Sequence, residues 1–516
     1  MPELPEDVLA AAWRRVGFTP DGVAHLLGPL AESLLASGNR APALRALERA
    51  AEEGASPAGD RELAAWVRLL VLGESVRAED LSSDGTDDPS LVVVLVALGI
   101  AESDGESVTP LVTVRPVDLG ERTGWAVSDP LVPGREPASD HVIGIGSATT
   151  TLDALAVRPA AGDRVLDVGT GSGYLALRAA AAGARVVATD VNPRALALTG
   201  LGADLSGLAV DARLGSLLAP ARGRFDRIVS NPPFVVSGRT GEGATYRDGG
   251  APGDALVAEL LRGVGDHIEP GGTAQLLANW EERAGEDWTA RVGGWVDPAL
   301  DLWVVRRDSI DPATYVDTWL RDGGTHPAAG RAAFEAAAER WLGDLEARGV
   351  TAIGMGHVTV RRPGVDEPAG APWRRLEDAQ GLGSGRLGDH VAAVLDAVAR
   401  LRPALDDDDA LLATTLLVAP DVTEVRHHRP GAAEPEVIEL VQGGGYARTI
   451  RATTGLSAVV GACDGELPLG VLVDAVAGLL EVPATDLRAE LTWWLRELLV
   501  TGMLVPTTDH PEKEHP

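Results

Sequence analysis

Cysteine is almost missing from this chain of 516 residues. Cys463 is the one example, so neither an internal disulfide nor a thiolate metal cage can form. Its apolar neighbours mark it as an ordinary buried thiol. Lysine is equally scarce: Lys513 stands alone, and arginine carries nearly all the positive charge. Cations are in deficit overall, 45 Lys and Arg against 76 Asp and Glu, for a net charge of −31. That balance argues against a protein that coats nucleic acid nonspecifically, because such binding relies on neutralising phosphates. No apolar run approaches a membrane span; the longest, Leu91 to Ala101, falls far short of the roughly 20 residues required. The first residues, Met1 to Asp7, are acidic and lack the basic start and apolar core of a secretion signal, so a cytoplasmic location is expected.

What is present is a globular composition, 45% hydrophobic and 23% charged, in a chain long enough for about three domains. The acidity sits in the flanks. Residues 160–280 hold 12 acidic and 11 basic side chains, against 25 and 12 in residues 1–159 and 39 and 22 in the remainder. Residues 1–140 read as an accessory domain of short helices followed by a hairpin of Val108 to Pro116 with Trp125 to Ser128, a winged-helix-like pattern. Residues 363–385, rich in Pro and Gly, read as a linker. Residues 386–516 read as a second winged-helix-like domain of mixed α and β elements. Its strand candidates are Leu411 to Val418 and Val437 to Val441, and its helices run over Leu387 to Leu401, Leu469 to Leu480 and Thr485 to Leu499. The four acids Asp406 to Asp409, the pair His427-His428 and the run Gly443 to Gly445 lack the spacing of ligand sites and are expected to be a solvated loop, surface residues and a turn. No metal is expected.

Between these flanks, residues 141–362 alternate short apolar strands with helices, the pattern of a parallel sheet covered on both faces. Strands are predicted at Arg164 to Val168, Arg185 to Asp190, Ala209 to Arg213, Arg227 to Ser230, Ala274 to Ala278, Leu302 to Val305 and Ile353 to Val360. That makes a Rossmann-like α/β sheet of seven strands. A helical insert at about 311–350, with Tyr315, Trp319, Phe334, Trp341 and Leu345 as its apolar positions, is placed to wall a substrate cleft.

The first of these strands runs into Gly169-Thr170-Gly171-Ser172-Gly173 and then a helix. Glycines here let a ligand approach the backbone beyond the carboxyl end of the strand. Asp167 precedes the loop, and Asp190 ends the next strand where a ribose diol would be hydrogen-bonded. Both features also suit a nicotinamide dehydrogenase, so they specify only an adenosine-bearing cofactor. Asn231-Pro232-Pro233-Phe234, at the same edge of the sheet, is more selective. The lone pair of an amide or exocyclic amino nitrogen is delocalised, and such a nitrogen attacks poorly. The Asn231 side-chain carbonyl and the Pro232 backbone carbonyl can each accept one of its N–H groups, the prolines stiffen the loop, and Phe234 offers a flat face for stacking. Alignment and electrostatics then favour methyl transfer to that nitrogen without a metal or strong base.

Together these residues resemble class I methyltransferases dependent on S-adenosylmethionine (SAM), and within them the branch of release-factor glutamine N5-methyltransferases. The resemblance covers about Val142 to Asn279. It implies that Asp167, Gly169, Thr170, Gly171, Gly173 and Asp190 bind SAM, and that Asn231 to Phe234 hold the acceptor. Thr150, in the segment Ser147 to Leu155, takes the position of the family's threonine in the loop before the first strand. Ser216 occupies a position where an acid often binds the adenine amino group. Arg247 to Asp254 is similar to the glycine-containing segment that follows the substrate loop. Phe234 stands where the glutamine enzymes usually have Tyr; Phe is frequent in related RNA guanine-N2 enzymes. The Asn231 to Phe234 loop and the acidic flanks nevertheless favour a protein glutamine amide as the acceptor. The alternatives are an adenine or guanine nitrogen of nucleic acid, read by the flanking modules, and a degenerate methyltransferase fold serving as a scaffold.

Overall fold

The computed structural model describes residues 4–36, 39–51, 58–81, 89–130, 138–233, 235–236, 252–322, 325, 327–379 and 381–507. The chain forms two compact units, each drawn from separated stretches: Met1–Thr150, Pro159–Leu256 and Val316–Asp344 in the first, and Thr151–Arg158, Val257–Tyr315 and Leu345–Pro516 in the second.

In the first unit the N-terminal helices gather around Trp13, whose ring meets Phe18 at 5.6 Å, Trp66 at 5.9 Å and Trp125 at 5.4 Å. Trp125 belongs to the hairpin of β1 (Thr113–Asp118) and β2 (Thr123–Ser128). The expected strand Val108 to Pro116 is in fact two. Ser107–Pro110 joins a different small sheet, and Pro110, having no N–H, cannot continue a ladder into β1. The N-terminal region also shares its apolar core with Ala195, Leu198 and Leu205, so residues 1–140 are not a body apart from the residues that follow.

The rest of this unit is a Rossmann-like α/β layer. The short helix α1 (Ser147–Leu155) precedes β3 (Arg164–Val168), α2 (Tyr174–Ala181), β4 (Arg185–Asp190), α3 (Pro193–Ser206), β5 (Val210–Leu214) and β6 (Phe225–Ser230). All pairings are parallel, in the order β6-β3-β4-β5. Apolar residues facing both helical layers make β3 nearly continuous in hydrophobicity, which is why sequence located it to the residue. The strand order turns back at β3, and a crevice opens beyond the carboxyl ends of β3 and its neighbours. The helical insert consists of α4 (Pro312–Asp322) and α5 (Pro327–Ala347), the latter broken at Gly330.

The second unit carries β7 (Ile268–Arg283), β8 (Asp301–Ile310), β9 (Val350–Arg361) and β10 (Arg374–Asp378), in the order β10-β8-β9-β7. The first three extend the predicted strands. β10 lies inside the expected linker 363–385 and pairs parallel with β8. That stretch is held by buried charge rather than left free. Asp301 bonds to the Trp373 backbone N–H at 2.7 Å and, with Glu367, accepts from Arg402 at 2.8 and 3.0 Å. Beyond it, the expected strand Leu411 to Val418 divides into a short helix, Asp408–Leu412, and a strand, Thr415–Val418. Asp407 caps that helix by accepting the N–H groups of Asp409 and Ala410, which gives the acidic run a structural use. Cys463 is buried, and burial pushes its thiol up to about 12. His427 is a surface residue beside Glu439 at 3.0 Å. No helix among the described residues is long and apolar enough to cross a membrane.

Candidate active site

β3 must turn into α2 within five residues, and it does so through glycines in the left-handed region: Gly169 (φ +73°), Gly171 (φ +56°) and Gly173 (φ +78°). The backbone N–H groups of Gly169 and Thr170 donate to the Thr189 carbonyl at 2.8 and 3.0 Å, pinning the loop to the end of β4. A Cβ on Gly169 or Gly171 would meet no protein atom within 4 Å, so both present bare backbone to open space. Gly173 differs. A Cβ there would lie 2.8 Å from the Thr199 side chain, so this glycine serves the close approach of α2 and α3.

Two carboxylates brace the loop. Asp167 is buried and accepts the Thr170 hydroxyl at 2.8 Å; burial raises its carboxyl to about 7, with the Thr170 bond opposing the rise. Asp190 receives the Gly171 N–H at 3.0 Å and the Asn192 N–H at 2.9 Å. Burial lifts its carboxyl as well, against those backbone bonds. Asn192 then caps α3, and two residues on Arg194 grips Asp129 with Nε at 2.9 Å. Asp129 in turn accepts the Val142 N–H at 2.8 Å. The segment from His141 to Gly146 is thereby anchored to the same helix as the loop.

Asn231 follows β6. Its Nδ2 donates to the Thr149 hydroxyl at 3.3 Å, while its Oδ1 is buried and has no hydrogen-bond partner. A buried acceptor left unpaired costs about 1–3 kcal/mol, and a ligand N–H would recover that cost. The Ser230 hydroxyl donates to the Val168 carbonyl at 2.8 Å, tying the starts of the two loops together.

These groups line one cavity of about 410 Å³. Asp167, Gly169, Thr170, Gly171, Asp190, Ser216, Asn231, Pro232 and Pro233 all face it. Thr150 and Gly173 do not; the Thr150 hydroxyl turns back to the Ser147 carbonyl at 3.0 Å, and its neighbour Thr149 takes the cavity position. Phe234 and most of Arg247 to Asp254 lie outside the described residues. Sequence reasoning missed His141, Leu256 and Asp322, which are remote from the two motifs in the chain, and Val191, which directly follows Asp190; it named Trp319 only as an apolar position of the insert. Nothing but the expectation that the insert forms a wall pointed to Asp322. The acids Asp167, Asp190 and Asp322 line the cavity, whereas no Lys or Arg does so among the described residues. Nor does any group of three His, Cys, Asp or Glu among them gather as a metal cluster.

The methyltransferase small domain family matches residues 140–286. The chain carries a class I SAM-dependent methyltransferase domain. A separate family, a domain of unknown function (DUF7059), matches residues 15–111. Among curated relatives of the methyltransferase domain, the release factor glutamine methyltransferase of Deinococcus radiodurans is 57% identical over 74 residues, 14% of this chain and 27% of that protein. The Moorella thermoacetica protein of the same name is 33% identical over 173 residues, 31% of this chain and 59% of that one. The ribosomal RNA small subunit methyltransferase C of Chromohalobacter salexigens is 34% identical over 119 residues, covering 23% and 32%. The chain thus spans between 27% and 59% of the length of these relatives. SAM is the methyltransferase's cofactor, and the cavity suits it. Bare glycine backbone faces open space at Gly169 and Gly171, a carboxylate stands at the end of β4, and an unpaired acceptor waits at Asn231.

Proposed function

We propose that this protein transfers a methyl group from SAM to a planar nitrogen, and that the acceptor is the side-chain amide of a protein glutamine. The observation that carries the reading is the divided state of the Asn231 amide, with its N–H committed to Thr149 and its buried oxygen open. An amide held in that orientation accepts one N–H of the acceptor and turns its lone pair toward the methyl group. SAM supplies an electrophilic methyl carbon. Asp167, Gly169, Thr170 and Gly171 would bind its amino-acid end and ribose, with Asp190 on the ribose diol, Ser216 beside the adenine and Gly173 setting the loop from behind. Asn231 and the Pro232 carbonyl would hold the acceptor nitrogen, and Pro233 and Phe234 would shape the slot around it. Positioning and electrostatics then supply the rate enhancement.

The choice of protein over nucleic acid rests on charge. Asp167, Asp190 and Asp322 line the cavity and no Lys or Arg does so among its described residues, a balance that disfavours phosphate there. Relatives named as release factor glutamine methyltransferases agree with this choice. Base methylation is the second reading, favoured by the ribosomal RNA methyltransferase relative. We place catalysis in 141–362, read the winged-helix-like flanks 1–140 and 386–516 as partner-recognition modules, and assign the protein to the cytoplasm. Incubation with labelled SAM and cell lysate tests the acceptor. Label in protein, mapped to glutamine by mass spectrometry, is expected; label confined to RNA or DNA rules the amide out. A scaffold role would require that S-adenosylhomocysteine fail to bind in calorimetry.

A further inference from the structure

One wall of the cavity comes from residues ahead of α1: His141, Val142, Ile143 and Gly144 all line it. That stretch is held from its N-terminal side. Just past β2, the Asp129 N–H donates to the Val142 carbonyl at 2.9 Å, and the Val142 N–H donates back to Asp129 Oδ2 at 2.8 Å. The same carboxylate oxygen stands 4.0 Å from His141 Nδ1 and accepts Arg194 Nε at 2.9 Å. A Cβ on Gly144 would come within 3.0 Å of the Ser128 hydroxyl oxygen, so the wall and the end of β2 touch. Asp129 is buried, and burial pushes its carboxyl up. The Arg194 and Val142 bonds outweigh that and hold it below the usual carboxylate range.

The link closes through α3. Asn192 accepts the Arg194 N–H on Oδ1 at 2.9 Å, donates from Nδ2 to the Asp140 carbonyl at 2.8 Å, and donates its own N–H to Asp190 at 2.9 Å. A continuous set of bonds thus joins Asp190, at the end of β4, to Asp129 and the wall. Asp129 precedes the matched methyltransferase segment 140–286 and does not itself line the cavity.

Resting on the SAM-binding part of the reading above, we propose that Asp129 is a positioning residue for the cofactor, and that the N-terminal region completes the SAM pocket through it. A wall of loop backbone must be ordered before it can contact a ligand, and holding it in place beforehand removes that cost from binding. The hairpin is a firm support for the purpose: its Trp125 N–H donates to Ser206 Oγ at 2.9 Å, at the far end of α3. Pocket completion is a role separate from the partner recognition proposed for residues 1–140.

Calorimetry with S-adenosylhomocysteine on the full chain tests this, alongside transfer from labelled SAM to lysate protein. Asp129→Ala should weaken S-adenosylhomocysteine on the order of tenfold and raise the KM for SAM in step, with kcat at saturating SAM within about twofold of wild type. Asp129→Asn, which keeps an acceptor for the Val142 N–H and loses the charge, should fall between the two. Arg194→Lys should keep most of the affinity that Arg194→Ala loses, and adding Arg194→Ala to Asp129→Ala should cost little more than Asp129→Ala alone. Ser206→Ala separates positioning from folding. It takes away the Trp125 acceptor far from the wall, and should lower the melting temperature while leaving S-adenosylhomocysteine affinity within about twofold. Unchanged affinity in Asp129→Ala, a fall in its kcat with the KM for SAM unchanged, or an equal loss of affinity in Ser206→Ala overturns the proposal. Failure of wild type to bind S-adenosylhomocysteine overturns the methyl-transfer reading itself, and this proposal with it.

Discussion

The Asn231 Nδ2 donates to the Thr149 hydroxyl at 3.3 Å, and the buried Oδ1 of the same amide is left without a hydrogen-bond partner. Without the Thr149 bond the amide is free to rotate and present a donor where an acceptor is needed. Thr149→Val should therefore lower kcat about tenfold or more with little change in cofactor affinity, since one misdirected hydrogen bond costs about 1–3 kcal/mol. Thr149→Ser should keep activity near wild type. Kinetics alongside calorimetry with S-adenosylhomocysteine check this, and equal loss in both variants would assign Thr149 a packing role.

Asp167 and Thr170 set a pH dependence. The Asp167 carboxyl sits near 7 in the folded protein because it is buried. A group whose folded pKa is raised contributes stability that is complete below the unfolded value and is lost as pH rises through the folded one. Unliganded protein should therefore lose stability from this group between about pH 4 and pH 7, by up to about 4 kcal/mol. Asp167→Asn, which still accepts from Thr170, should be more stable than wild type at pH 8 and not at pH 4. Melting temperatures across that range decide; a constant difference between the two proteins contradicts the assignment.

The loop glycines separate into two kinds. Gly173→Ala places a methyl group 2.8 Å from Thr199 at positive φ, and should destabilise the fold by about 1–3 kcal/mol. Removing the obstacle with Thr199→Ala should recover part of that loss, giving a non-additive double-mutant cycle. Gly169→Ala meets no protein atom, so beyond the backbone strain its main effect should fall on cofactor affinity. Chemical denaturation and calorimetry distinguish the two; similar profiles for both variants would contradict the division.

What sequence revealed, and what it hid, follows from how each feature is encoded. The strands from Arg164 and Arg185 were legible to the residue because both faces are buried and glycine or an acid marks each end. Asp190 and Asn231 were legible because they end strands at one edge of one sheet. Thr149 and Thr150 were indistinguishable: they are neighbours on a helix, and the 100° between their side chains depends on the helix's docking. Glycine and proline made 363–385 resemble a linker, since the Asp301, Glu367 and Arg402 network that orders it joins residues about 100 positions apart. Trp319 and Asp322 reach the cavity only through tertiary folding.

The central claim is that the open Asn231 oxygen holds the acceptor nitrogen and not the cofactor. Titration of wild type and Asn231→Ala with S-adenosylhomocysteine, paired with methyl transfer from labelled SAM to lysate protein, tests it most directly. The account predicts cofactor affinity within about twofold of wild type and transfer reduced by at least a hundredfold. Transfer by Asn231→Ala at the wild-type rate, or cofactor affinity lost together with transfer, would contradict it.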